Sequence, residues 1–316
     1  MPAASVSVVV PTFRRPVLLR GCLEALLRQT LWQQAGGEIL VVDNCPDGSA
    51  GEVVAGLPEG PVPVRYLAER RPGISHARNR GVEEATGEFL SFVDDDIIVE
   101  EGAIAALLTA LQETGASATF GCCLGVPEAP CSEEALHFLG PYSRDLGPVR
   151  RDVTAARAHL GTGLSLMPRA ILAARQPPFD PALGLLGGED AAMIRELAEE
   201  GHRFVYEPAS IGHEHVSLAR LNRAALMQRR FRAGQIRVAN AGGPLRRGIW
   251  RGVGAAQAAL HLPAALVAGL AGQRRRAETH WGQAWGGLGK VFWRMRQAPV
   301  YGGGGVLAST LSKPPA

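Results

Sequence analysis

The 316 residues are 46% apolar and 20% charged, ordinary for a globular protein and enough for one large domain, alone or with an appendage. Five cysteines (Cys22, Cys45, Cys122, Cys123, Cys131) show no metal-ligand spacing and fit a reduced cytosolic protein rather than a disulfide framework; residues 1–5 carry no charged n-region followed by an apolar core. The net charge of +3 conceals two opposed parts: 17 Lys+Arg against 28 Asp+Glu over residues 1–212, and 16 against 2 over residues 213–316. So basic a C-terminal third implies an anionic partner: a membrane surface, a nucleic acid or a polyanionic substrate.

Residues 5–10 (Ser-Val-Ser-Val-Val-Val) read as a buried strand, broken by Pro11-Thr12-Phe13-Arg14-Arg15-Pro16. Leu18, Leu19, Cys22, Leu23, Leu26 and Leu27 then recur at helical spacing through Gln29. Residues 38–42 form a second strand ending at Asp43-Asn44, and Val53, Val54 and Leu57 predict a short helix. A third strand covers residues 64–67 and gives way to the loop Glu69-Arg70-Arg71-Pro72-Gly73. Ser75 is placed to cap a helix running toward Glu84. Residues 89–93 are a fourth strand that opens onto Asp94-Asp95-Asp96. Four strand–helix alternations predict βαβ units and a mostly parallel, doubly wound α/β sheet. Ligands bind such sheets beyond the carboxyl ends of the strands, which sends Thr12, Asp43, Arg70–Arg71 and Asp94–Asp96 to one crevice.

A helix follows over residues 101–114 and a strand over 119–125. Residues 126–159, with four prolines, are irregular and read as a candidate lid. Residues 160–167 read as a strand with close backbone approach at its glycines, and Pro168 opens a helix. Gly187-Gly188-Glu189-Asp190 opens a strong helix that stops at Gly201, and a strand over 203–206 precedes His213-Glu214-His215. An Arg-rich helix is predicted over 217–232. Residues 252–272 carry no charge; as a helix they would run about 31 Å, near the thickness of a bilayer core. They are mostly Ala and Gly, include Gln257, His261 and Pro263, and lie between Arg246, Arg247, Arg251 and Arg274-Arg275-Arg276. Three arrangements fit: a helix on a membrane surface, a packed hairpin, or a span. The chain thus divides into a domain over 1–235, a basic helical appendage over 236–300 and a flexible tail over 301–316.

Three carboxylates in a row at a strand exit repel by roughly 4 kcal/mol per close pair at an effective dielectric near 20. Either a cation sits among them or the triplet is a solvated turn capping the next helix. Hard oxygens of this kind suit Mg²⁺ or Mn²⁺, which also hold substrate phosphates.

Five motifs in order carry a resemblance. They are Pro11-Thr12-Phe13-Arg14-Arg15, Val41-Val42-Asp43-Asn44, Arg71-Pro72-Gly73-Ile74-Ser75-x-Ala77-Arg78-Asn79-x-Gly81, Gly87 through Asp96, and Phe179-Asp180-x-x-Leu183-Gly184-x-x-Gly187-Gly188-Glu189-Asp190. Together with the strand at Gly161–Leu166 they resemble the family 2 glycosyltransferases of GT-A fold, over roughly residues 5–235. The wording around Arg71 and Glu189 is similar to glucosyltransferases of bacterial exopolysaccharide assembly. The resemblance implies an inverting, metal-dependent hexosyl transfer from a nucleotide-diphosphate sugar, a UDP-sugar, to an acceptor hydroxyl on a carbohydrate or lipid. No nucleic-acid partner is expected; the cysteines point to a cytoplasmic protein, and the charge asymmetry with the uncharged segment 252–272 points to a peripheral place on the inner face of the plasma membrane.

The resemblance also assigns residues. Pro11, Thr12 and Arg14 line the nucleotide pocket. Asp43 accepts from uracil N–H or, in the plainer reading, caps its turn. Arg71, Arg78 and Asn79 face the diphosphate. Asp94, with Asp95 beside it, contacts ribose or binds metal through water, and Asp96 binds the metal directly. Asp190 is the general base and Glu189 holds the acceptor or orders the loop, while both also suit a helix N-terminus. One histidine of the pair His213 and His215, with His213 favoured, is a third metal ligand. Two rivals stand. A nucleotidyltransferase would need a lysine-bearing Gly-rich loop after the first strand, which residues 11–16 are not. A non-catalytic scaffold at a membrane complex would have no use for the crowded carboxylates.

Overall fold

β1 (Ser5–Thr12) and β2 (Gly36–Asp43) are valine-, leucine- and isoleucine-rich because both faces of each strand are covered. In the computed structural model, which describes residues 4–157, 160–185 and 187–295, they pair in parallel from Ser5 beside Gly36 to Thr12 beside Asp43. Val6, Val8 and Val10 of β1 enter one apolar core and Val9 the other, as the two-residue period of a strand requires. α1 (Pro16–Leu27) packs in the first core with Leu19, Cys22, Leu23 and Leu26. α2 (Gly51–Ala55) leads to β3 (Val64–Ala68), parallel to β2. α3 (Ile74–Glu84) packs in the second core through Ala77 and Val82, and β4 (Phe89–Val93) lies parallel to β1 on its other side.

The chain continues through β5 (Ile97–Val99), α4 (Ala103–Thr114), β6 (Ala118–Pro127), α5 (Glu133–Leu136), β7 (Arg151–Asp152), β8 (Leu164–Pro168), α6 (Arg169–Ala173), α7 (Glu189–Glu199) and β9 (Phe204–Val216). The sheet order is β3-β2-β1-β4-β8-β6-β9-β5, with β7 on β9. The parallel half is the expected one. β8 then runs antiparallel to both β4 and β6, so the second half reverses direction.

Several boundaries differ from those the sequence suggests. Ser75 does not cap α3. Gly73, at φ 119°, holds the N-cap position, and Ser75 Oγ donates to the Asp180 carbonyl at 2.8 Å. β8 begins only at Leu164, which frees Gly161–Gly163 as a loop. β9 is 13 residues long; its apolar signal fades at Glu207-Pro208, but the backbone continues extended past His213. α8 (Arg223–Ala239) starts at Asn222, whose side chain accepts from Ala225 N at 3.0 Å.

The described residues form two compact units: 4–124 with 144–214, and 125–143 with 215–295. The first holds the parallel strands and α1–α4. The second holds α8, α9 (Pro244–Leu270) and α10 (Arg274–Val291). α9 and α10 form an antiparallel hairpin around Gly272 at φ 73°. A β-carbon at Gly287 would sit 2.6 Å from the Gly254 carbonyl, so the two backbones touch. Residues 252–272 are thus packed in a hairpin, an arrangement that contact of the outer face with a membrane surface would leave intact. The second unit begins well before residue 236 because Gly234 of α8 packs against the α10 backbone at Gly286 and Gly289. The tail over 301–316 lies outside the described residues.

Candidate active site

The parallel register lines up the strand tips. Val9 pairs with Phe92, so three residues on Thr12 is level with Asp95, and Thr12 Oγ1 donates to Asp95 Oδ2 at 2.7 Å. Arg15, the residue before α1, donates through Nη1 to Asp95 Oδ1 at 3.0 Å and to Asp96 Oδ2 at 2.8 Å. Both carboxylates are buried. Burial pushes Asp95 up to about 7, against the pull of Arg15, with Asp96 and Asp94 adding to the rise and Thr12 opposing it.

Asp94 turns the other way. Its Oδ1 accepts from Arg78 Nη2 at 3.0 Å, and Arg78 Nη1 donates to Glu189 Oε1. Arg78 and Glu189 are each 2% exposed, Arg78 with its guanidinium 5.7 Å from the Phe179 ring centre. Burial raises Glu189 to about 7, against Arg78, and the neighbouring Asp190 charge raises it too. Glu189 and Asp190 fill the first turn of α7, where the helix N-terminus favours negative charge. Asp190 is half-buried, with Oδ1 accepting from Ala191 N at 2.6 Å.

The loop before β8 joins the two ends. The Gly163 carbonyl accepts from Asp94 N at 3.1 Å. A β-carbon at Gly163 would lie 2.6 Å from Asp94 Oδ2, and one at Gly161 would lie 3.1 Å from Asp190 Oδ2. Both carboxylates therefore flank one loop, with no room for a side chain at Gly163 unless Asp94 shifts and a tight fit at Gly161. Arg144 bolts that loop down, donating to the carbonyls of Gly161 at 2.7 Å, Leu164 at 2.9 Å and Gly121 at 2.9 Å.

Other expected site residues are engaged elsewhere. Arg78, expected at the diphosphate, is held by the buried Glu189 and the half-buried Asp94. The Asn79 amide pairs with the Phe179 backbone, donating to O at 2.7 Å and accepting from N at 2.9 Å, a match for a peptide group. Asp43 is fully buried and caps its turn, accepting from Cys45 N at 2.9 Å and Ala50 N at 2.7 Å, with the Tyr66 hydroxyl at 3.4 Å. Arg71 is folded back on Glu69 at 2.9 and 2.6 Å, which holds the Glu69 carboxyl below its usual range. Arg14, at φ 54°, pairs with Asp47 at 2.6 Å, and Pro11 is buried in β1. His213 is not turned to the triplet: it sits opposite Ile98 with Nε2 2.8 Å from Glu100 Oε1. Among the described residues no three or more His, Cys, Asp or Glu side chains are arranged to hold a metal ion. The carboxylates nevertheless accept a cation, because the Arg15 guanidinium is shared by two of them.

The Glycosyl transferase family 2 profile matches residues 7–137. The succinoglycan biosynthesis protein ExoM of Rhizobium meliloti (strain 1021) is 31% identical over 238 residues, 73% of each chain. The chain belongs to glycosyl transferase family 2. It is a nucleotide-sugar-dependent glycosyltransferase. A Campylobacter jejuni β-1,3-glucosyltransferase acting on GalNAc(5)-diNAcBac-PP-undecaprenol is 32% identical over 130 residues, 40% of this chain and 41% of that protein. Among solved structures, the mannosyltransferase PcManGT of Pyrobaculum calidifontis, in complex with GDP-Man and Mn²⁺, aligns at TM-score 0.60 and 18% identity over 94% of this chain and 89% of that one. S. aureus TarS 1–349 with UDP-GlcNAc aligns at 0.54 and 14%, over 88% and 90%. These establish the GT-A-like fold.

Sequence reading missed Arg15 and Arg144. Arg15 stood in the quoted motif, and its place just before Pro16 at the start of α1 was the available signal. Arg144 lies in the irregular proline-bearing stretch and carried none.

Proposed function

We propose that this family 2 enzyme is an inverting, metal-dependent hexosyltransferase, moving a sugar from a UDP-sugar to a carbohydrate or lipid-linked hydroxyl in polysaccharide synthesis. One observation carries the reading: Asp94 at the donor-side strand tip and Asp190 at the start of α7 flank the same two-glycine loop, and Arg78 ties Asp94 to the residue next to Asp190. Direct displacement needs a base on one side and a departing diphosphate on the other within one cleft. Asp190, half-buried with Oδ2 toward Gly161, takes the acceptor proton as that oxygen bonds to the anomeric carbon and the bond from anomeric carbon to phosphate oxygen breaks. Glu189, held by Arg78, orders the start of α7. Asp96 and Asp94 would hold Mg²⁺ or Mn²⁺, and the bound ion offsets charge on the departing diphosphate. A bound ion would compete with Arg15 for Asp96, and the freed guanidinium would be available to phosphate. Asp43 is fully buried, so a uracil N–H would reach its Oδ2 by displacing the Tyr66 hydroxyl, which donates to it at 3.4 Å.

Support for polysaccharide work comes from the succinoglycan protein, and for metal and donor class from the complexes with GDP-Man and Mn²⁺ and with UDP-GlcNAc. A charged donor that does not cross membranes supports a cytoplasmic location. The test is a panel of UDP- and GDP-sugars with Mn²⁺ and soluble or lipid-linked acceptors, following nucleoside diphosphate release and product anomer by NMR. Asp190→Asn should lower kcat by about 10²–10⁴. Retention within about threefold overturns the base assignment, and a retained anomer overturns the displacement.

A further inference from the structure

We infer that α9 lies in the plane of an anionic bilayer surface, with one face sunk at the boundary of headgroups and acyl chains. This does not rest on the catalytic reading above. The helix has 27 residues, about 40 Å, and is the one helix among the described residues long and apolar enough to cross a membrane. Seven large apolar residues on it are exposed: Leu245 at 78%, Ile249 at 57%, Val253 at 44%, Leu260 at 67%, Leu266 at 56%, Val267 at 66% and Leu270 at 91%. At about 100° per residue these fall within an arc of about 140°. Gly254, Ala258, Ala265 and Ala268 are the buried positions, and they fall on the opposite side within about 80°. One face is thus locked in the second unit and the other is a continuous apolar stripe.

The locked face decides between lying on a bilayer and crossing it. Gly254 meets Gly287 backbone to backbone, Gln257 Nε2 donates to the Gln283 carbonyl at 2.9 Å, and His261 meets His280 at 2.8 Å. A crossing α9 would drag in α10, which carries Arg274, Arg275, Arg276, Glu278, Gln283 and Lys290. Lying in the plane needs no such burial.

The charges choose the occupant. Arg246, Arg247 and Arg251 stand near one end of the stripe and Arg274–Arg276 just past the other. A second copy would bring the same arginines against these and be repelled. A nucleic acid would satisfy the arginines but not the apolar stripe. An anionic lipid surface satisfies both.

The full chain should float with vesicles of phosphatidylcholine and phosphatidylglycerol, less with phosphatidylcholine alone, and less again as salt rises. Leu260→Glu with Val267→Glu should lower partition about tenfold or more, while nucleoside diphosphate release with a soluble acceptor and the urea midpoint stay unchanged. Leu245→Glu with Ile249→Glu is a second pair should the first disturb folding. The inference is overturned if the full chain floats with no vesicle, or if both pairs float like the parent. It is also overturned if sedimentation shows a dimer that the same substitutions separate, or if a duplex oligonucleotide binds and the substitutions leave that binding intact while flotation is absent.

Discussion

Replacing Arg78 with Met keeps volume and removes the charge that two carboxylates share. Arg78 and Glu189 are each 2% exposed, so Glu189 is left as an unpaired buried carboxylate; Asp94, at 34%, can turn to water. Breaking a buried pair from one side costs about 3–5 kcal/mol. The pH dependence gives the sharper test. Glu189 titrates near 7 in the folded protein and near 4.3 when unfolded, so the native state keeps its proton longer and stability falls as pH rises between those values. Above 7 the parent is flat in this respect. Without Arg78 the folded value climbs further, so the variant keeps losing stability above pH 7 and the gap widens. Urea melts at about pH 6 and pH 8.5 read the gap directly. Adding Glu189→Gln to Arg78→Met should recover most of the loss, because two neutral groups of similar shape replace the ion pair. A loss below about 1 kcal/mol that is equal at both pH values would refute the reasoning.

Three further outcomes follow from other contacts. Glu38 accepts from Ser7 Oγ at 2.8 Å, Thr86 N at 2.8 Å, Thr86 Oγ1 at 2.7 Å and Arg65 at 2.7 Å; burial alone would raise it, but these donors hold it below its usual value. Its contribution is therefore present above about pH 4.3 and lost as pH falls through the folded value, so Glu38→Gln should cost about 1–3 kcal/mol at pH 7 and less in urea melts toward pH 4. Gly163→Ala forces a shift where its β-carbon would lie 2.6 Å from Asp94 Oδ2, and kcat/KM should fall about tenfold to a hundredfold, more than for Gly161→Ala with 3.1 Å to Asp190 Oδ2. Arg15→Gln removes the guanidinium that Asp95 and Asp96 share, so calorimetry without nucleotide should show Mn²⁺ binding about tenfold tighter; equal or weaker binding would count against a competing cation there.

The parallel half of the fold was legible because each strand buried on both faces is a short unbroken apolar run, and each ends on polar residues at its carboxyl tip. Thr12, Asp43 and Asp94–Asp96 came out at strand ends for that reason. What one polar side chain does at such an end was much less legible. Asp43 and Asn79 have the hydrogen-bonding capacity to meet a nucleotide, and the same capacity lets them close a turn and hold a peptide group. Arg71 and Arg78 likewise found carboxylates within the fold, Glu69 at sequence separation 2 and Glu189 at 111. The nearer partner could be read from the sequence; the farther depends on the chain path that brings the start of α7 to Arg78 of α3. β9 was read short because Pro208 and Ser210 interrupt its alternation.

The reversal at β8 is what turns a row of strand tips into a two-ended cleft. β4 and β8 run antiparallel, Val93 opposite Leu164, so the residues leaving β4 face the residues entering β8. Asp94 therefore meets Gly163 across a backbone hydrogen bond, and Gly161, two residues earlier, meets Asp190. Had β8 run parallel, its tip at that level would have been a strand exit, and the entering loop would lie at the opposite edge of the sheet. The distance from the donor-side carboxylate to the base-side carboxylate is then fixed by three residues of glycine-bearing loop, which Arg144 holds by its carbonyls. The sheet topology sets the spacing between the two chemical ends, and the glycines let both carboxylates approach the loop that joins them.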